Sequence, residues 1–330
     1  MDNISILGCG SWGGALGVLL AKKGISVTLW HRNQRIVESL TKSRSHYIVS
    51  SLTFPENAMF TSDLHKAVQG AETIILAIPS QSIRGLIKSC REFCREDQTI
   101  VNVSKGIEID TLMTVSEIIY DVLGNTYTNI VTLSGPSHAE EVIEGYPTTL
   151  VSASPNATAA EAVQTLFSNE TLRTYVNGDI KGVELGGSIK NVIAIASGIV
   201  DGIGYGDNTK AALLTRGLSE ISRLGVVMGG KEKTFSGLSG IGDLMVTCFS
   251  KHSRNRFVGE EIGKGKSLKE IIEGMSMVAE GVHTAESVYQ LRAKHKVSMP
   301  ISHAVYNILF KGKDPKTAIK ELMSRKLIEE

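Results

Sequence analysis

The chain reads as an α/β protein, with a doubly wound, mainly parallel sheet over its first half and helices over its second. Three observations predict this. Short aliphatic and β-branched runs alternate with helical periodicity from Ile4 to Ser152, the pattern of repeated β-α-β units. A glycine triplet follows the first of those runs and opens the first helix. Beyond Asn177-Gly178-Asp179 the strand-like runs give way to helical patterning, which divides the chain into residues 1–179 and 180–330.

Ile4 to Leu7 make the first strand, and Gly8-Cys9-Gly10-Ser11-Trp12-Gly13 follows at once. A helical run through Ala15, Leu16, Val18, Leu19 and Leu20 stops at Gly24, and Val27 to Trp30 make the next strand. G-x-G-x-x-G between a strand and a helix is a dinucleotide-binding arrangement. Gly8 permits the tight turn, Gly10 lets the backbone approach a pyrophosphate, and Gly13 lets the helix pack on the strand. The helix start then offers its N–H groups to the phosphates. The second strand ends in Trp30-His31-Arg32-Asn33, with no acid before Glu38. An NAD-selective site places a carboxylate about twenty residues past the glycines, whereas an arginine there suits a 2′-phosphate. This favours NADP(H) and leaves NAD(H) open.

Further strands are expected at Thr73–Ile78, Thr99–Val103, Asn129–Leu133 and Thr149–Ser152, with Ser80 capping the helix after the first of these. Ligands of such sheets lie beyond the carboxyl ends of the strands. Lys105 and the Gly135–Ala139 segment occupy those ends, so Lys105 is a candidate for the cofactor crevice.

In the second half, Val183 to Asp201 is apolar almost throughout. On a helical period Ile189, Val192, Ile193, Ala196, Ile199 and Val200 form a packing face. Gly187, Lys190, Asn191, Ala194, Ser197, Gly198 and Asp201 form a small, polar one. A lysine on that face is a candidate proton donor or acceptor, since a buried ammonium needs an anionic partner. A glycine-rich break at Gly202–Asn208 precedes a helix from Thr209 to Leu224. In the polar stretch from Ser236 to Arg256, Asp243 is a lone carboxylate among glycines, available to a sugar-like hydroxyl. Ser253-Arg254-Asn255-Arg256 offers a hydroxyl, two guanidinium forks and an amide, chemistry suited to a small phosphate.

With 35 basic and 34 acidic residues the formal charge is +1, which gives no reason to expect nucleic acid as a partner. No basic, apolar leader precedes the first strand and no apolar run reads as a membrane span, so a cytoplasmic protein without membrane insertion is expected. Cys9, Cys90, Cys94 and Cys248 lack zinc or redox spacing and are expected to be reduced, and the histidines form no ligand motif, so no metal is expected.

Gly8-x-Gly10-Ser11-Trp12-Gly13, Ser104-Lys105-Gly106, Gly135-Pro136-Ser137-x-Ala139, Lys190-Asn191, Gly240-x-Gly242-Asp243-Leu244, Ser253-Arg254-Asn255-Arg256 and Val278-x-Glu280-Gly281 occur in this order. In these motifs the chain resembles the soluble, bacterial-type NAD(P)-dependent glycerol-3-phosphate dehydrogenases, over nearly its whole length. The resemblance implies a Rossmann-like domain followed by an all-helical substrate domain, and interconversion of dihydroxyacetone phosphate and glycerol 3-phosphate for glycerophospholipid synthesis. It implies that Lys190 carries the proton. It assigns Ser11, Trp12, His31, Arg32, Lys105, Ala139, Arg254, Val278 and Glu280 to the nucleotide. Lys105, Gly135, Ser137, Lys190, Asp243, Ser253, Arg254 and Asn255 are assigned to the substrate. Many relatives carry a second basic residue where this chain has Asn33. Another two-domain reductase acting on a hydroxy acid or sugar acid, or a non-catalytic NADPH sensor, remains the alternative, and a homodimer is left open.

Overall fold

The computed structural model describes residues 3–49, 51–275 and 279–327. It divides into two compact units: Met1–Lys105 with Met113–Glu184, and Gly106–Leu112 with Leu185–Glu330.

The first unit is built on one eight-stranded sheet: β1 (Asn3–Leu7), β2 (Ser26–Trp30), β3 (Ala58–Thr61), β4 (Thr73–Leu76), β5 (Thr99–Asn102), β6 (Ile130–Ser134), β7 (Thr148–Ala153) and β8 (Leu172–Asn177). Their spatial order is β3-β2-β1-β4-β5-β6-β7-β8. Every neighbouring pair is parallel except β6 with β7. This is a Rossmann-like sheet whose order reverses between β1 and β4. Its helices are α1 (Ser11–Lys22), α2 (Gln34–Ser43), α3 (Leu64–Gln69), α4 (Ile83–Cys90), α5 (Val115–Leu123), α6 (Ala139–Ile143) and α7 (Ala157–Phe167).

Strand alternation sends side chains to both faces. Ile4 and Ile6 join a core with Leu16, Val18 and Leu20 of α1, while Leu7 joins another with Ile83, Leu86 and Ile87 of α4 and Ile118 and Ile119 of α5. Helix starts carry their own caps: Asn33 on α2, Asp63 on α3, Asn156 on α7, and a Thr114/Glu117 capping box on α5. Ser80 does not cap a helix as expected. Pro79 is the N-cap of a short 3-10 turn from Ser80 to Ser82, and Ser82 that of α4, neither with a side-chain cap.

The second unit is helical: α8 (Ile180–Ile203, whose first turn belongs to the first unit), α9 (Asp207–Val227), α10 (Glu232–Phe235), α11 (Asp243–Phe249), α12 (Arg254–Gly263), α13 (Leu268–Glu273), α14 (Glu280–Lys294), α15 (Pro300–Lys311) and α16 (Pro315–Met323). Its core gathers around α8, with Ile189, Val192, Ile193 and Ile195 packed among Ile221, Leu224, Phe235, Val258 and Val288.

Two expectations for α8 change. Residues 182–200 are buried all round, so its small, polar face is a packing face as well. At its far end that face takes a backbone. A Cβ on Gly198 would lie 1.9 Å from the Arg256 carbonyl oxygen, and one on Gly259 of α12 would lie 2.0 Å from that of Ile195. The helix is also, by length and composition, apolar enough to cross a membrane, contrary to the expectation of no such run. Its 24 residues instead form the centre of a protein core.

Candidate active site

In the first unit the glycine loop connects β1 to α1 where the strand order reverses. Gly8 has φ +121°, a left-handed conformation, and a Cβ there would lie 2.3 Å from the Ala77 carbonyl oxygen beyond β4. A Cβ on Gly13 would lie 2.0 Å from the Gly8 carbonyl oxygen. Gly10 is different, because a Cβ on it would meet nothing within 4 Å. Two glycines are thus dictated by packing, and the third faces open space. Gly10 is the N-cap of α1 and supplies no side-chain cap, and the first turn carries no acidic residue. Open space beside an uncapped helix start fits a dinucleotide pyrophosphate.

Ser11 and Trp12 open α1, and Trp12 packs part-buried on the core beneath it. His31 and the exposed Arg32 follow β2. The His31 Nδ1 accepts the Asn33 N–H at 3.0 Å, and burial, with the Arg32 charge adding to it, holds the ring below its ordinary pKa. Asn33 uses its side chain to cap α2, accepting the Arg35 N–H at 2.9 Å. Lys105 lies past the end of β5, and its Nζ donates to the Gly135 carbonyl oxygen at 3.0 Å. The Ser137 hydroxyl donates to the same oxygen at 3.1 Å, so the ends of β5 and β6 converge on it. Gly135 has φ +139°. Ala139 is the buried first residue of α6. Cys9, inside the glycine loop, is a buried thiol whose pKa burial pushes up to about 12. Cys90 and Cys94 are free thiols with sulfurs 3.8 Å apart.

In the second unit Lys190 is 4% exposed. Its Nζ donates to Asp243 Oδ1 at 2.8 Å and to Thr247 Oγ1 at 2.5 Å. Asp243 is therefore not the available carboxylate that its glycine surroundings suggest: it is 2% exposed and is the counter-ion of a buried ammonium. Thr247 stands four residues along α11 from Asp243 and also donates to its carbonyl oxygen at 2.6 Å. That i, i+4 spacing after Asp243 is the signal by which Thr247 could have been found. Cys248, beside this group, has its thiol pushed up to about 12 by burial, against the pull of the Lys190 charge.

The Ser253–Arg256 cluster is less open than its composition suggests. The Ser253 hydroxyl caps α12, accepting the Arg256 N–H at 3.2 Å. Asn255 is 9% exposed, and its amide donates to Asn191 Oδ1 and accepts the Gly281 N–H, both at 2.9 Å, joining α8, α12 and α14. Arg256 is ion-paired with Asp201 at 2.8 Å and Glu260 at 3.1 Å. Arg254, the first residue of α12, is exposed. Glu280 is the half-buried first residue of α14, and Val278 lies outside the described residues.

Of the expected residues, the first unit brings together the glycine loop, Ser11, Trp12, His31, Arg32, Lys105, Gly135, Ser137 and Ala139 at the carboxyl ends of its parallel strands. The second unit pairs Lys190 with Asp243 and places Ser253, Arg254 and Asn255 at the start of α12. Asn191, which grips Asn255, and Thr247, which grips Lys190, were not among them.

Two family models cover the chain: the N-terminus of NAD-dependent glycerol-3-phosphate dehydrogenase matches residues 3–160, and its C-terminus matches residues 179–320. A Chlorobium chlorochromatii protein named glycerol-3-phosphate dehydrogenase [NAD(P)+] is 50% identical over 98% of this chain and 97% of its own. One of the same name from Clostridium perfringens is 47% identical over 98% of each. The crystal structure of glycerol-3-phosphate dehydrogenase from Coxiella burnetii superposes with a TM-score of 0.94 at 35% identity, covering 98% of this chain and 99% of that one. The chain therefore belongs to the NAD-dependent glycerol-3-phosphate dehydrogenase family.

Proposed function

We propose that the protein interconverts dihydroxyacetone phosphate and sn-glycerol 3-phosphate with NADP(H), as a cytoplasmic enzyme whose product is the backbone of glycerophospholipids. Residues 1–179 supply most of the nucleotide contacts, and residues 180–330 supply the proton and most of the substrate contacts. The observation that carries this reading is the buried Lys190 ammonium on its Asp243 and Thr247 partners. Such a group is expensive to bury and is retained where it has chemistry to do.

When bound, the nicotinamide supplies the hydride to C2 of the ketone. Lys190 protonates the oxygen on C2 as negative charge develops there, and its ammonium stabilises that charge before proton transfer is complete. In the reverse direction the neutral amine accepts the proton. Asp243 and Thr247 fix the Nζ in position, so orientation is set before substrate arrives.

The phosphate is assigned to the start of α12. Ser253 and Asn255 shape that terminus and Arg254 contributes its guanidinium, with Lys105, Gly135 and Ser137 also assigned to substrate. The pyrophosphate is assigned to Gly10, Ser11 and Trp12, with Gly8 and Gly13 shaping the turn. The remaining nucleotide contacts are assigned to His31, Lys105, Ala139, Arg254, Val278 and Glu280. Arg32, with no acid before Glu38, supports NADP(H) over NAD(H).

Nucleotide oxidation followed at 340 nm tests the reading. NADPH with dihydroxyacetone phosphate should give the fastest turnover, well above NADPH with pyruvate-type acids. Equal or faster turnover of the acids would contradict it.

A further inference from the structure

We propose that Glu184 and Asn102 are positioning residues for nucleotide binding, holding the loop after β5 in the form that presents Lys105. The inference rests on the reading above in which Lys105 serves the nucleotide. All of the residues involved lie in the first unit.

Glu184 is 5% exposed, and among the described residues no lysine, arginine or histidine is paired with it. Its carboxylate is held by donors alone. Oε1 accepts from Asn102 Nδ2 at 3.1 Å, Thr132 Oγ1 at 2.9 Å and the Ser116 N–H at 3.0 Å, and Oε2 accepts from the Ser116 hydroxyl at 2.6 Å. These donors come from β5, β6 and the start of α5. A carboxylate without a counter-ion is a costly way to join three elements, since apolar packing would do so at lower cost.

Asn102 shows what an acceptor-only group adds at this place. Only the NH₂ end of its amide can face a carboxylate, so Glu184 decides which way the amide points. Pointed that way, Asn102 grips the next loop at both polar groups of one residue. Its Oδ1 accepts the Ser104 N–H at 2.8 Å, and its Nδ2 donates to the Ser104 carbonyl oxygen at 3.2 Å. The Ser104 hydroxyl in turn donates to the carbonyl oxygens of Ile78 at 2.6 Å and Leu76 at 3.2 Å, at the end of β4. Lys105 is the next residue, with its Nζ on the Gly135 carbonyl oxygen. A flipped amide would set its NH₂ against the Ser104 N–H, and the backbone leading into Lys105 would have to move.

The two tryptophans, Trp12 and Trp30, both lie in the first unit, so quenching of their fluorescence by NADPH reports binding there. Asn102→Ala should raise the NADPH Kd roughly tenfold, the equivalent of one well-placed hydrogen bond, and approach the effect of Lys105→Ala. Ser116→Ala removes a different donor from the same carboxylate, the hydroxyl on its Oε2; it should lower Tm comparably and leave Kd within about twofold. An unchanged Kd in a folded Asn102→Ala chain, with Lys105→Ala weakened, overturns the positioning role alone. An unchanged Kd in Lys105→Ala overturns that role together with the reading on which it rests. An equal rise in Ser116→Ala shows general loosening and also overturns it. Should Asn102→Ala not fold, Asn102→Ser answers the same question, because its shorter side chain reaches Glu184 or Ser104 but not both.

Discussion

At the scale of single residues, three glycines in one loop carry separate duties. Gly8 and Gly13 are held by contacts that a methyl group would violate, while Gly10 faces open space. Gly13→Ala should therefore destabilise the fold by roughly 1–3 kcal/mol in urea unfolding. Gly10→Ala should change stability by less than about 1 kcal/mol and yet weaken NADPH. If Gly10→Ala binds NADPH normally, the space beside it does not receive the pyrophosphate. Arg32 tests cofactor choice in the same way. Arg32→Ala should raise KM for NADPH by about tenfold, the loss of one exposed charge-assisted contact, and leave KM for NADH nearly unchanged. Equal effects would remove Arg32 from the 2′-phosphate. The packing duties of Gly8 and Gly13 were legible in the sequence because each stands at a fixed place in a strand-turn-helix pattern. The commitments of Asp243, Asn255 and Arg256 were not. Their partners Lys190, Asn191 and Asp201 are more than fifty residues away, and only packing of α8 against α11 and α12 joins them.

At the scale of elements, α8 with α12 shows how close packing builds the second unit. Backbone meets backbone at Gly198 and Gly259, which draws the start of α12 against the helix that bears Lys190. Gly259→Ala would set a Cβ 2.0 Å from the Ile195 carbonyl oxygen, and should cost roughly 1–3 kcal/mol in urea unfolding. A loss below about 0.5 kcal/mol, the range of a neutral surface change, would mean that the two helices separate freely. The amphipathic reading of α8 put Ile189, Val192 and Ile193 in the core and Lys190, Asn191 and Gly198 toward α11 and α12, whereas Ala194, read on the polar face, joins the apolar core. What covers the polar face is a neighbouring backbone as well as polar partners. Among the strands, β3 and β8 escaped the sequence. The first is four residues long with Met59 62% exposed, and so carries little apolar signal. The second, Leu172–Asn177, lies like β3 at an edge of the sheet and alternates only briefly, with Leu172 and Thr174 buried and Arg173 and Tyr175 exposed.

At the scale of the whole molecule, the pyrophosphate-binding glycine loop and the proton-transferring lysine are assigned to different units of one chain, and this division is the central claim. Lys190→Met measures it most directly, because methionine keeps the length of the side chain and removes the ammonium. NADPH affinity, read from tryptophan quenching, should stay within about twofold of the parent, since the nucleotide-binding glycine loop lies in the other unit. In the same preparation kcat for dihydroxyacetone phosphate reduction should fall by about a hundredfold to ten-thousandfold, the range for loss of a general acid. A folded Lys190→Met protein with near-parental kcat would contradict the account.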